Sequence, residues 1–211
     1  EIPKRDWSSD VCSSDLKTVN PAPVTFRTID VGNDWQFSDG GVSTLASRGL
    51  RFSLENQDLF KVQLRALFRA SRSGHMRILL PFVSTIDDLD AAIEIIAGVK
   101  RDLARQRHSF DRNVPIGVMI ETPAAAQTCD LMASRVDFFC LGTNDLIQYY
   151  LVIDRSDQSA VQHYTPFHPA ILRALHQVYT LLQYSGRPVT VCGEMAADPA
   201  AAAVLLGLGF T

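Results

Sequence analysis

The chain has 211 residues, 46% of them hydrophobic and 20% charged, which is enough apolar material for one substantial core. Its formal net charge of -3, with both signs interspersed, offers no basic stripe to neutralise a phosphodiester backbone, so nucleic acid is not an expected partner. No apolar run approaches the roughly 20 residues of a membrane span and the start lacks a secretory pattern, so no membrane insertion is expected and the location is expected to be cytoplasmic.

In chain order, Asp6 to Leu16 reads DWSSDVCSSDL, Ser/Asp-rich and without an apolar period. It resembles the translation of a short-read sequencing adapter. Residues 1–16 are therefore set aside as a non-native leader, and the domain is taken as residues 17–211. From Val24 onward the chain alternates. Strand-like apolar runs fall at Val24–Ile29, Met76–Val83, Ile116–Ile120, Val136–Leu141 and Pro188–Cys192. Helix-like spacing falls at Asp58–Ala70, Ile86–Arg105, Ala124–Ala133 and Ala170–Tyr184. Thr122 before Pro123 predicts an N-cap, and Gly142-Thr143-Asn144-Asp145 predicts a second strand-to-helix corner. Strands alternating with helices imply an α/β fold with parallel strands, either a barrel or an open doubly wound sheet.

In such folds reactive groups collect where strands end. Those ends are Arg27 with Asp30, Glu121, Asn144 with Asp145, and Cys192 with Glu194. Glu121 and Asp145, on different strands, suit a shared hard cation such as Mg2+, although on spacing alone the plainer reading is that each caps a helix. Arg27, Arg48, Arg51 and Arg155 lie near strand ends or in the loops after them. A guanidinium fork matches phosphate and carboxylate, while most arginines merely solvate a surface. The cysteines Cys12, Cys129, Cys140 and Cys192 form no C-x-x-C pair, which fits a reducing compartment and argues against a zinc site. Cys192, before Gly193, is the candidate for chemistry; Cys129 and Cys140 read as small buried hydrophobes. His75, His108, His163, His168 and His176 show no ligand spacing.

GVMIETPAAA, VDFFCLGTNDLIQYYLVIDR, PFHPAILRAL and VCGEMAADPAAAAVLLGLG resemble, in order and spacing, the carboxyl-terminal domain of enzyme I of the phosphoenolpyruvate-dependent phosphotransferase system. The resemblance runs from about Val24 to the last residue. Pyruvate phosphate dikinase and phosphoenolpyruvate synthase are close alternatives. The resemblance implies an incomplete (β/α)8 TIM barrel holding about strands 3 to 7. It implies Mg2+-dependent phosphoryl transfer from phosphoenolpyruvate to a histidine on a missing amino-terminal domain, with release of pyruvate. Through that domain it implies exchange with the phosphocarrier protein HPr or a paralogue, and it implies a homodimer.

By the same resemblance Glu121 and Asp145 hold Mg2+, while Arg27, Arg48, Asn144, Asp145 and Arg155 bind phosphoenolpyruvate. Cys192 protonates the enolate carbon. Trp35 stands where the family has a lysine, the loop from Trp35 to Arg48 is short, and Ala46-Ser47 replace a Gly-Trp pair. These departures are expected to weaken binding by Arg27 and Arg48, and they leave a non-catalytic phosphoenolpyruvate-binding remnant as an alternative. The fragment alone is expected to be inactive.

Overall fold

The computed structural model describes residues 9–30, 47–154 and 163–210. Trp35 and Ala46 in the shortened loop, together with Arg155, lie outside the described residues. The described chain is an α/β fold with five parallel strands, dividing into two compact units.

The first unit holds residues 1–81 and 87–116. Within it β1 (Val24–Arg27) pairs in parallel with β2 (Met76–Leu80), Phe26 opposite Ile78. Ile78 N–H donates to the Pro115 carbonyl at 2.9 Å, just ahead of the next strand. The helices are α1 (Ser9–Val19), α2 (Leu50–Glu55), α3 (Gln57–Ala70) and α4 (Ile86–Arg105), the last of which opens within the second unit. In α3 the residues Phe60, Leu64, Leu67 and Phe68 recur at helical spacing and are all buried, as the amphipathic pattern requires. Among the described residues regular structure is already present at Ser9, ahead of the Val24 expected from the pattern. Cys12 and Leu16, four residues apart on α1, are both buried, and α1 packs on α3.

The second unit holds residues 82–86 and 117–211. Here β3 (Ile116–Ile120), β4 (Phe138–Gly142) and β5 (Val189–Cys192) pair in parallel, in chain order, with Ile120 opposite Leu141 and Gly142 opposite Cys192. Every residue of β3 and β4 is buried, which is why IGVMI and FFCLG read as continuous apolar runs rather than alternating ones. The helices are α5 (Pro123–Met132), α6 (Thr143–Leu151), α7 (Pro169–Leu182) and α8 (Pro199–Leu208). Helix α5 packs on α7, and Gln127 and Gln177 exchange hydrogen bonds of 3.0 and 2.8 Å across that seam. In both units neighbours in the sheet are neighbours in the chain. That is the winding of a (β/α)8 barrel and not of a doubly wound sheet, whose strand order reverses at a switch point. Among the described residues no helix is long and apolar enough to cross a membrane.

Candidate functional site

The carboxyl ends of β3, β4 and β5 carry the polar cluster of the second unit. Thr122 caps α5 as its sequence predicts: Ala125 N–H donates to Thr122 Oγ1 at 3.1 Å, with Pro123 in the first helical turn. The Thr122 hydroxyl donates to the Val83 carbonyl at 3.3 Å, tying the end of β3 to the segment at 82–86. Thr122 therefore does the capping, and the preceding Glu121 is turned to another use.

Glu121 is 1% exposed. Its Oε1 accepts a hydrogen bond from Phe82 N–H at 2.6 Å, and its Oε2 faces Gly142. Two features hold the carboxylate there. Phe82 has φ 56, in the left-handed region that a bulky side chain rarely adopts, a strain of about 1–3 kcal/mol that the surrounding packing must sustain. Its ring meets Tyr149 edge to face, 5.4 Å between centroids. Gly142 supplies the space: a Cβ at that position would lie 2.9 Å from Glu121 Cβ and 3.0 Å from Oε2. Asp145, in the first turn of α6, is also buried, at 7% exposure.

Two buried carboxylates at the ends of adjacent parallel strands offer oxygen donors. This suits Mg2+, which takes one or two carboxylates and fills its remaining positions with phosphate oxygens and water. Among the described residues no group of three or more His, Cys, Asp and Glu side chains gathers as a cation site, so any metal here would depend on these two carboxylates and on oxygens from elsewhere.

Asn144 and Thr143 brace the end of β5. The Thr143 hydroxyl donates to the Cys192 carbonyl at 3.0 Å, and Glu194 N–H donates to Asn144 Oδ1 at 3.0 Å. Gly193, at φ 103, makes this possible, since a Cβ there would come within 2.5 Å of Thr143 Oγ1 and 2.7 Å of Asn144 Oδ1. The Cys192 thiol, partly exposed, donates to the Leu141 carbonyl at 3.4 Å and lies 3.2 Å from the sulfur of Cys140. A thiol is one of the side-chain groups that can act as a general acid.

In the first unit the end of β1 is built differently. Asp30 accepts from Arg48 through Nε and Nη2, both at 3.1 Å, a two-point fork, and from Arg27 Nη1 at 3.4 Å. The Asp30 side chain is 3% exposed, whereas that of Arg27 is 48% exposed. Arg51 instead pairs with Asp88 at 3.2 Å.

Glu121, Asn144, Asp145 and Cys192 thus stand at strand ends of the second unit, and Arg27 and Arg48 at one strand end of the first. Sequence reasoning passed over three participants. Asp30 was visible as a polar residue at a strand end but not as the anchor of two arginines. Phe82 acts through its backbone, which no side-chain pattern reports. Cys140, read as a buried hydrophobe, is indeed buried yet touches Cys192.

Residues 8–211 match the family model described as PEP-utilising enzyme, PEP-binding domain. A phosphoenolpyruvate-protein phosphotransferase of Bacillus sp. (strain S) is 40% identical over 214 residues, covering 99% of this chain and 37% of the relative. One from Cupriavidus necator is 38% identical over 216 residues, again covering 99% of this chain and 37% of the relative. The chain therefore spans little more than a third of the curated relatives it matches. Among solved structures, malate synthase of Haloferax volcanii aligns with a TM-score of 0.56 at 14% identity, over 98% of this chain and 56% of that one, a likeness of fold alone.

Proposed function

Because the chain belongs to the phosphoenolpyruvate-utilising enzyme family, as its PEP-binding domain, we propose that it is the substrate-binding part of a longer phosphoenolpyruvate-protein phosphotransferase. The observation that carries this reading is the 40% identity, across 99% of the chain, to relatives bearing that name. The buried carboxylates Glu121 and Asp145 support it.

In the proposed reaction the phosphorus–oxygen bond of phosphoenolpyruvate breaks as a phosphorus–nitrogen bond forms to a histidine of another domain. The enolate then takes a proton on carbon from the Cys192 thiol and leaves as pyruvate. Glu121 and Asp145 would hold Mg2+, whose charge would offset that gathering on the phosphoryl group. Asn144 and Asp145 in one unit, and Arg27, Arg48 and Arg155, are proposed phosphoenolpyruvate ligands. Asp30 fixes the forks of Arg27 and Arg48 in advance of binding. Thr143 holds the backbone of Cys192, and so the direction from which its proton is delivered. A cytoplasmic location, a homodimer and a phosphocarrier partner of the HPr type follow from the same reading.

The test is expression of the complete reading frame that encodes this chain, supplied with phosphoenolpyruvate. Acid-labile phosphohistidine on the protein, formed together with pyruvate and abolished by removing Mg2+, is the expected result. Pyruvate or another product without phosphohistidine would assign the domain to a different reaction. A second reading, phosphoenolpyruvate binding without turnover, draws on the two-point hold of Asp30 on Arg48. Calorimetric binding with no pyruvate formed would favour it.

A further inference from the structure

Strands β4 and β5 run side by side, with Cys140 opposite Thr190 and Gly142 opposite Cys192. Side chains alternate between the faces of a strand, so Cys140 and Cys192, two register steps apart, project from the same face. Their sulfurs are 3.2 Å apart, and the Cys140 thiol points its proton at the Cys192 sulfur. A disulfide bond is about 2.05 Å long, so closure asks for an approach of only about 1 Å. The two thiols differ in access: Cys140 is 8% exposed and Cys192 more open. A reachable thiol beside a shielded second one is the arrangement of redox-sensitive cysteine pairs, in which the first meets the oxidant and the second resolves it.

We propose that Cys140 and Cys192 are a reversible disulfide site, formed by peroxide-class oxidants. The Cys192 thiolate attacks a peroxide oxygen: a sulfur–oxygen bond forms, the oxygen–oxygen bond breaks, and one water leaves after protonation. The Cys140 sulfur then attacks that of Cys192: the sulfur–sulfur bond forms, the sulfur–oxygen bond breaks, and a second water leaves. Two thiols lose two electrons and one hydrogen peroxide becomes two waters. A dithiol reductant reverses the change by exchange. The other two thiols do not compete, because Cys129 is fully buried, with burial pushing its pKa up to about 11, and Cys12 is buried on α1. The bond itself rests on geometry alone; the loss of activity it would cause rests on the proposed role of Cys192 as proton donor.

The experiment treats the 211-residue chain, and the full-length protein containing it, with one equivalent of hydrogen peroxide, blocks remaining thiols by alkylation, and maps the peptides by mass spectrometry. The expected result is one linked pair, Cys140 with Cys192, about 2 Da lighter than the sum of the reduced peptides, absent in C140S and C140A and reversed by dithiothreitol. Peroxide should leave Cys129 and Cys12 to be alkylated only after unfolding in urea. Stable sulfenic or sulfinic acid on Cys192 with Cys140 still alkylatable, or scrambled pairs among all four cysteines, would overturn the proposal. A linked pair that leaves pyruvate formation by the full-length protein unchanged would uphold the disulfide and instead count against Cys192 as proton donor.

Discussion

At the end of β1, Asp30 is almost wholly buried and gripped by two guanidiniums, one of them at two points. At the end of β3, Glu121 is equally buried but is oriented by a neutral peptide N–H and by the space that Gly142 leaves. A carboxylate held by arginines is already charge-compensated, so its use is to position them. At Glu121 a peptide N–H holds one carboxylate oxygen and so fixes the direction of the group. The two acids at strand ends are thus held by different groups, guanidiniums at Asp30 and a backbone N–H at Glu121.

That contrast can be broken most sharply at Glu121. E121Q keeps the shape and removes the charge, and turnover by the full-length protein is expected to fall on the order of 1,000-fold with folding intact, a loss of the size seen when one group stabilising transition-state charge is removed. Retention of most of the activity would remove Glu121 from the site. Next comes Asp30. D30N breaks the two-point hold on Arg48, and the expected result is a rise of about tenfold in KM for phosphoenolpyruvate with a smaller change in kcat, since the arginines remain but lose their direction. A collapse of kcat at constant KM would contradict a positioning role.

G142A tests the space around Glu121: its Cβ would press on the glutamate at 2.9 Å, and a cost of about 1–3 kcal/mol is expected in urea unfolding. A neutral result would mean that Glu121 shifts freely.

The smallest effects are in pH, and they come from opposite limbs in the two units. Burial raises the Cys129 pKa from 9.0 to about 11, so the folded state holds that proton more tightly. Its contribution is complete below pH 9 and is lost as the pH rises through 11. The urea midpoint of the wild type should drop over that range more than that of C129A. In the first unit the hydrogen bond from Arg105, helped by Arg65 and Arg101, lowers the pKa of Asp102 below 3.8. Its contribution is present above pH 4 and lost in stronger acid, and D102N should flatten that limb slightly.

Strands β3 and β4 were legible because burial on both faces leaves an unbroken apolar run, and Ile116–Ile120 was bounded to the residue. Helices α3 and α4 were legible for a different reason, an apolar face that recurs at helical spacing. Helix α1 was not: its polar residues carry no period, and it is held by Cys12 and Leu16 packing into the first unit. At the site, strand-end logic and family resemblance picked out Glu121, Asp145 and Cys192. The grip of Asp30 on Arg48 spans 18 residues, and the Cys140–Cys192 contact spans 52. Both depend on register and on loop path, which residue types alone do not encode.

The reading of Glu121 and Asp145 as a shared cation site is tested most directly by titrating Mn2+, a paramagnetic stand-in for Mg2+, into the full-length protein and its E121Q and D145N variants, following the free ion by electron paramagnetic resonance. Each variant should bind at least about tenfold more weakly than the wild type, because a divalent ion here depends on both carboxylates. Wild-type affinity in either variant, with folding intact, would contradict a shared site.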